Sequence, residues 1–159
     1  MLVPAEVWTV AKAEQGNAVL VRPLGLDVAV PIFIAPLEAQ SILIGLGSVK
    51  MPRPLTHDLI AGVFAGLGVK VQKVVVNDLK DDTFYARLYL LQENDLGRNV
   101  VEIDARPSDS IVLALQQKRP LYVVQKVFDS VEDMTEILER VLKQQAEEGE
   151  SEPDDKEEP

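Results

Sequence analysis

Two short segments of the sequence repeat one order of residue types: an Arg-Pro pair, then a hydroxyl residue, then an aspartate. Residues 53–58 read Arg-Pro-Leu-Thr-His-Asp, and residues 106–109 read Arg-Pro-Ser-Asp. Each segment precedes an apolar stretch with helical spacing. Proline fits the first turn of a helix, Thr or Ser can cap it, and Asp complements the positive end of the helix dipole. Helix initiation therefore accounts for much of the pattern.

Helix initiation does not account for an arginine at the start of both segments. A helix N-terminus presents unpaired amide groups, and an adjacent guanidinium adds a planar set of donors that matches phosphate oxygens. If the two helix starts lie together, they form an anion-binding site. A buried Arg-Asp pairing between the two segments is the structural alternative. The predicted substrate-binding residues are Arg53, Thr56, Lys80, Arg106 and Ser108.

Three carboxylates close to the second segment could hold a metal ion. The two-residue period of a strand puts Glu102 and Asp104 on one face, and Asp109 follows within the next turn. Hard cations such as Mg²⁺ prefer carboxylate oxygens, and such an ion can polarise a phosphodiester. We therefore predict that Glu102, Asp104 and Asp109 bind a divalent metal, Mg²⁺ or a similar ion. The alternative is that Glu102 lies on a solvated face.

The chain has a single histidine, His57, which excludes a metal site built from several histidines. An imidazole can accept or donate a proton near neutral pH, and Asp58 stands beside it in the sequence. The alternative is a helix-start histidine whose ring lies in water. The candidate catalytic residues are His57, Asp58, Asp104 and Asp109.

The composition bounds the class of protein. The chain has 159 residues, 47% of them hydrophobic, and no cysteine, which fits one domain without disulfides or thiolate metal sites. The longest apolar runs, 28–37 and 59–69, are shorter than the roughly 18 residues of a membrane span. The first 14 residues do not follow the pattern of a signal peptide. We expect a cytoplasmic protein without membrane contact.

The formal net charge of −10 counts against a high-affinity nucleic-acid-binding surface, because such affinity depends on cationic contacts to phosphates. Glycine-rich phosphate loops, GxGxxG and GxSxG motifs are also missing from the sequence. Much of the charge lies in residues 146–159, which contain eight acidic residues and one lysine. We predict a domain at residues 1–145 and a disordered acidic tail, which promotes solubility or imitates nucleic acid.

Hydrophobic periodicity predicts the elements that must position these residues. The 69–79 and 83–92 strands should form a hairpin, and the 107–118 helix is so apolar that most of its circumference must be covered. The predicted fold is a single compact α+β domain with a mixed, mostly antiparallel sheet and about four helices. Strands are expected at residues 2–12, 17–22, 28–34, 69–79, 83–92, 99–105 and 121–124, and helices at 36–46, 56–67, 107–118 and 130–142.

Three blocks of the sequence resemble, in order and spacing, the bifunctional nuclease domain family. They are residues 53–59, residues 78–86 and residues 104–111, and the resemblance extends over about residues 2–145. Asp82 stands where the family usually has Gly, and Ser110 where it usually has Ala. The acidic tail replaces the UVR-type helical hairpin that some bacterial members carry.

The resemblance implies a compact α+β domain that cleaves DNA and RNA. We therefore predict a metal-assisted nuclease in which Arg53 and Arg106 hold phosphate and His57 with Asp58 handles protons. The alternative is a non-catalytic binding or regulatory module that recognises an anionic ligand or a protein partner through the same residues. A homo-oligomer is expected in either case.

Overall fold

The chain folds around one seven-stranded sheet in the computed structural model, which describes residues 1–14 and 16–131 and the isolated positions 140, 143, 146 and 147. Four helices accompany the sheet within these residues, so the predicted fold class is confirmed. The strands are β1 Leu2–Ala13, β2 Gly16–Pro23, β3 Val30–Ile34, β4 Val69–Lys80, β5 Thr83–Asn94, β6 Gly97–Ala105 and β7 Leu121–Val124. The helices are α1 Pro36–Gly47, α2 Thr56–Gly66, α3 Pro107–Gln117 and α4 Gln125–Ser130.

The strands follow the order β3-β2-β1-β7-β4-β5-β6. Each neighbouring pair is antiparallel except β4 and β7, which run parallel. β7 therefore joins an N-terminal three-stranded meander to a second antiparallel unit formed by β4, β5 and β6. This arrangement leaves β3 and β6 as the two edges of the sheet.

Helix α3 lies at the centre of the hydrophobic core. Seven of its residues are buried, and Ile111 is only 1% exposed. α3 contacts α1, α2, β4 and β5, so it is enclosed by helices on one side and by the sheet on the other. The prediction that most of its circumference is covered is confirmed.

The β4–β5 hairpin fixes which side chains face the helices. Asp81 and Asp82 form its two-residue turn with φ of 48° and 59°, the left-handed backbone that a tight hairpin turn of the primed type requires. On β5, Ala86 and Leu88 are buried on the helical face, at 0% and 4% exposure. Arg87 lies between them in the sequence and therefore faces the opposite side of the sheet.

The last part of the fold differs from the prediction. A short helix, α4, follows β7 directly, and Ser130 is its final residue rather than the start of a helix. The predicted helix at 130–142 and the acidic tail otherwise fall outside the described residues. No helix of the described chain is long and apolar enough to cross a membrane.

Candidate active-site cleft at three helix starts

Four side chains connect the N-terminal ends of α1, α2 and α3. His57 Nε2, in the first turn of α2, lies 3.0 Å from Asp109 Oδ1 in the first turn of α3. Arg106, which precedes α3, donates to Asp109 Oδ2 from Nε at 2.9 Å and to Oδ1 from Nη2 at 3.2 Å. Its Nη1 donates to Glu38 Oε1 of α1 at 3.0 Å. The two predicted helix starts therefore do meet, and a third joins them.

Asp109 is held as a carboxylate by these contacts. Burial alone would raise the pKa of Asp109, but the hydrogen bonds from Arg106 and His57 outweigh burial and lower the pKa below its ordinary value. The hydrogen bond to Asp109 in turn raises the pKa of Arg106. An ionised carboxylate can only accept hydrogen bonds. The proton of a neutral His57 ring therefore sits on Nε2, and Nδ1 is left as the basic nitrogen.

His57 borders an open cleft of about 950 Å³. The side chain of His57 is only 14% exposed, so the ring is largely shielded from bulk water while it still reaches the cleft wall. Arg106 and Asp109 lie on the same wall, and most of the remaining surface is apolar. The apolar lining includes Ile60 and Phe64 of α2, Leu88 of β5, Ile103 of β6 and Leu113 of α3. This combination of an apolar wall with few polar groups is typical of ligand sites.

Asp58 makes two hydrogen bonds at the start of α2. Its Oδ2 accepts a hydrogen bond from the Leu55 backbone N–H at 2.7 Å, and its Oδ1 accepts one from Gln116 at 2.8 Å. Asp58 therefore stabilises the start of α2 and ties it to α3. Thr56 and Ser108 do not cap their helices, because Leu55 and Arg106 occupy the cap positions without side-chain cap bonds.

The predicted substrate-binding residues are placed very differently from one another. Thr56 borders the cleft, whereas Ser108 is buried at 5% exposure. Arg53 is exposed, and its side chain makes no hydrogen bond or ion pair with any described residue. All three guanidinium nitrogens of Arg106 donate to Asp109 or Glu38, although the side chain is 65% exposed.

The predicted metal ligands are not brought together. Glu102 and Asp104 pair across the ladder with Tyr89 and Arg87, on the sheet face that points away from the helices. Asp109 lies on the helical face, because the chain folds back over that face as α3 begins. Within the described ranges there is no group of three or more His, Cys, Asp or Glu residues that could hold a metal ion.

Lys80 also lies away from the cleft. Its Nζ is 3.2 Å from Asp78 Oδ2, on the sheet face of Asp104. A hydrogen bond from Lys126 is the largest cause of the lowered pKa of Asp78. Lys80 and Asp104 thus share a separate polar surface opposite the helices.

Glu38 was missed by sequence reasoning. Its side chain is 18% exposed and pairs with Arg106, which brings the start of α1 into the site. A sequence signal for it existed, since Pro36-Leu37-Glu38 repeats the proline-x-acid order of Pro107-Ser108-Asp109. That order places a carboxylate in the first turn of each helix.

Comparison with known proteins agrees with the resemblance noted in the sequence. The chain is 38% identical over 118 residues to an uncharacterized protein of Mycobacterium tuberculosis, covering 74% of this chain and 68% of that protein. It is 26% identical over 103 residues to bifunctional nuclease 1 of Oryza sativa, covering 65% of this chain and 31% of the rice protein. It is also 26% identical over 99 residues to bifunctional nuclease 2 of Arabidopsis thaliana, covering 62% of this chain and 30% of the relative. Because the family model of the bifunctional nuclease domain matches residues 18–136, the chain belongs to the bifunctional nuclease domain family.

Proposed function

We propose that the chain hydrolyses phosphodiester bonds of nucleic acids in the cleft beside His57. Membership of the bifunctional nuclease domain family supports a nuclease role in general. The observation that carries the proposal is the 3.0 Å contact between His57 Nε2 and Asp109 Oδ1 at the wall of an open cleft. Asp109 positions the imidazole, and Arg106 keeps Asp109 ionised.

His57 acts as the general base in this proposal. Its Nδ1 takes a proton from a water molecule whose oxygen attacks phosphorus. The new P–O bond forms as the bond to the leaving ester oxygen breaks, and the protonated ring can return the proton to that oxygen. The Asp109 carboxylate stabilises the positive charge that develops on the ring during this transfer.

Arg53 and Thr56 are the proposed phosphate contacts. Arg53 is exposed, carries no ion pair to any described residue and stands just before α2. Thr56 lines the cleft at the first residue of the same helix, where backbone amides are available to an anion. Arg106 is a positioning residue, because its donors already hold Asp109 and Glu38.

The dependence on a divalent ion stays a prediction from the sequence. Glu102, Asp104 and Asp109 do not support it as a set, since they lie on opposite faces of the sheet. The proton transfer proposed here therefore involves only His57 and its neighbours. Chelation of divalent ions tests the metal requirement separately.

The proposal is tested with fluorogenic single-stranded DNA and RNA and the full-length protein. His57→Gln should lower kcat by roughly 10²- to 10⁴-fold, the usual contribution of general base catalysis. Lys70→Gln, an exposed change on β4, is the matched control and should retain wild-type turnover. All three proteins are purified identically and assayed with Mg²⁺ and with EDTA, because contaminating nucleases would cleave equally in every sample.

A second candidate, a non-catalytic binding module for a protein partner, is favoured by the charge of the cleft. The cleft wall carries two carboxylates, Glu38 and Asp109, and one guanidinium, Arg106, which weakens its attraction for a polyanion. The cleft wall is otherwise largely apolar. Absence of cleavage by the wild-type protein with and without Mg²⁺ would favour this second function.

A further inference from the structure

Helix α2 is more apolar than an exposed helix should be. None of its residues is buried in the single chain. From residue 59 to residue 69 the sequence has no charged or polar side chain. His57, Ile60 and Phe64 turn inward, whereas Leu59, Val63 and Leu67 are 63%, 49% and 66% exposed. A helix that is apolar on all sides is ordinarily covered on all sides.

Strand β6 is a long edge of the sheet that no described element covers. It has nine residues, spans about 30 Å, and contains neither proline nor lysine. The opposite edge, β3, has five residues and includes Pro31, which interrupts pairing. Long apolar edges are normally shortened, charged or covered, because their free backbone groups pair with other strands. β6 carries three charged residues, but among the described residues it is neither shortened, interrupted by proline nor covered by another element.

The apolar side of β6 continues the apolar surface of α2. Val101 and Ile103 are 40% and 39% exposed and lie on the helical face of the sheet. Ile103 lines the same cleft as Ile60 and Phe64 of α2. One surface therefore combines an open backbone edge with two sets of uncovered apolar side chains. We call these exposed residues of α2 and β6 the α2–β6 face.

We propose that a second copy of this chain covers the α2–β6 face, with the two β6 strands pairing antiparallel across a two-fold axis. Such pairing continues the sheet from one subunit into the other, and the free backbone groups of both β6 strands form hydrogen bonds with each other. It also keeps the helical faces on the same side, so the two α2 helices lie above the seam. The proposal does not depend on the nuclease activity.

The charges on β6 are self-complementary in two registers. With Val100 on the axis, Arg98 lies opposite the partner's Glu102, which Arg87 already engages within its own chain. With Val101 on the axis, Arg98 lies opposite the partner's Asp104, and the same pair forms a second time by symmetry. Asp104 makes no side-chain hydrogen bond or ion pair with the described residues of its own chain, whereas Glu102 is 3.7 Å from Arg87. Arg98 Nε is 3.5 Å from Glu93 Oε1, so the pair across the axis would add a second carboxylate to that guanidinium. Centring the pair on Glu102 instead would set two glutamates against each other, which is unfavourable.

The C-terminal segment of the same chain is the competing occupant. Its start lies on the other side of the sheet, since Lys126 of α4 is 3.1 Å from Asp78, on the face opposite α2. The segment would have to pass around an edge of the sheet to reach the α2–β6 face. The complementary charges on β6 favour a second copy over this intrachain cover.

The first test measures the mass of the full-length protein in solution and the effect of charge reversal. At about 100 μM the wild type should have twice the 17.5 kDa of one chain. Arg98→Glu and Asp104→Arg should each raise the dimer dissociation constant roughly tenfold or more, and the double variant should restore it. Lys70→Glu, on an exposed site away from β6, is the control and should dimerise normally.

The second test uses the absence of cysteine from the sequence. Val101→Cys should form an intermolecular disulfide on mild oxidation, because residues at the axis face each other within about 5 Å. Phe33→Cys on the opposite edge should not. Deuterium exchange at residues 97–105 should slow as the protein concentration rises. A wild-type monomer, a dimer unaffected by the charge reversals, or protection of residues 97–105 that does not change with concentration would each overturn the proposal.

Discussion

His57 and Asp109 are 52 residues apart in the sequence, and their side chains meet at 3.0 Å because the first turns of α2 and α3 lie side by side. The start of α2 does not depend on His57, since Asp58 supplies the side-chain hydrogen bond there. The contact therefore couples the two repeated segments through an imidazole and a carboxylate. The hydrogen bonds that Asp109 accepts from Arg106 and His57 are also the basis for the expected acid sensitivity of the fold.

Asp109→Asn should flatten the response of stability to acid. The folded-state pKa of Asp109 lies below its ordinary value, so its contacts stabilise the fold above about pH 4 and are lost as pH falls through the folded pKa. The variant should therefore be less stable than the wild type near pH 7, and the difference should shrink toward pH 3 or so. Urea unfolding at several pH values measures this difference.

The control for the acid experiment is Asp27→Asn, which changes an exposed carboxylate outside the cleft. Its stability should follow that of the wild type across the same pH range. If Asp109→Asn also follows the wild type at every pH, the Asp109 contacts contribute nothing to folding. The lowered pKa would then have no consequence for stability.

Ile111→Ala should be among the costly core substitutions. Ile111 is 1% exposed in the middle of α3, and removing its methyl groups would leave a cavity between helices and sheet. Truncations of this kind cost about 2–5 kcal/mol. Leu59→Ala is the matched control, because Leu59 is 63% exposed in a single chain and should cost under about 1 kcal/mol in dilute monomer. Chemical denaturation at low protein concentration compares the two.

Much of the fold could be predicted from periodicity, and much of the site could not. On β5, the apolar residues Ala86, Leu88 and Leu90 alternate with Tyr85 and Arg87. This alternation predicts both the strand and its buried face, because every second residue of a strand points to the same side of the sheet. The starts of α1, α2 and α3 were also predicted correctly, since proline or acidic residues mark them locally, whereas the predicted start at Ser130 is the end of α4.

The three predicted metal ligands lie on opposite faces of the sheet, which strand periodicity alone could not reveal. The two-residue period of a strand correctly places Glu102 and Asp104 on one face of the sheet. It does not predict toward which face the chain turns after Ala105. That turn sends Asp109 to the other side of the sheet, toward His57 and Glu38. Contacts between first turns of distant helices depend on tertiary packing, and no local pattern encodes them.

Removal of residues 146–159 should leave the melting temperature unchanged. The segment has no aliphatic side chain larger than alanine, so it has little apolar surface to bury against the domain. Differential scanning calorimetry of the truncated and full chains measures the effect. A fall of several degrees would show that the tail packs on the domain. A rise in nucleic-acid affinity at low salt would indicate that its acidic residues compete with phosphate.

Asp82→Gly should leave the β4–β5 hairpin at least as stable as in the wild type. Asp82 has φ of 59° in the turn, a conformation that costs an L-residue roughly 1–2 kcal/mol and costs glycine almost nothing. The left-handed conformation costs aspartate less than most residues, and glycine loses more backbone entropy on folding. Asp82→Gly should therefore increase the free energy of unfolding by at most about 1 kcal/mol. Asp82→Ala keeps the Cβ but loses the polar side chain, and it should be about 1 kcal/mol less stable than Asp82→Gly. Thermal and urea unfolding of the three proteins rank them, and equal stability of the alanine and glycine variants would show that the left-handed backbone carries no strain here.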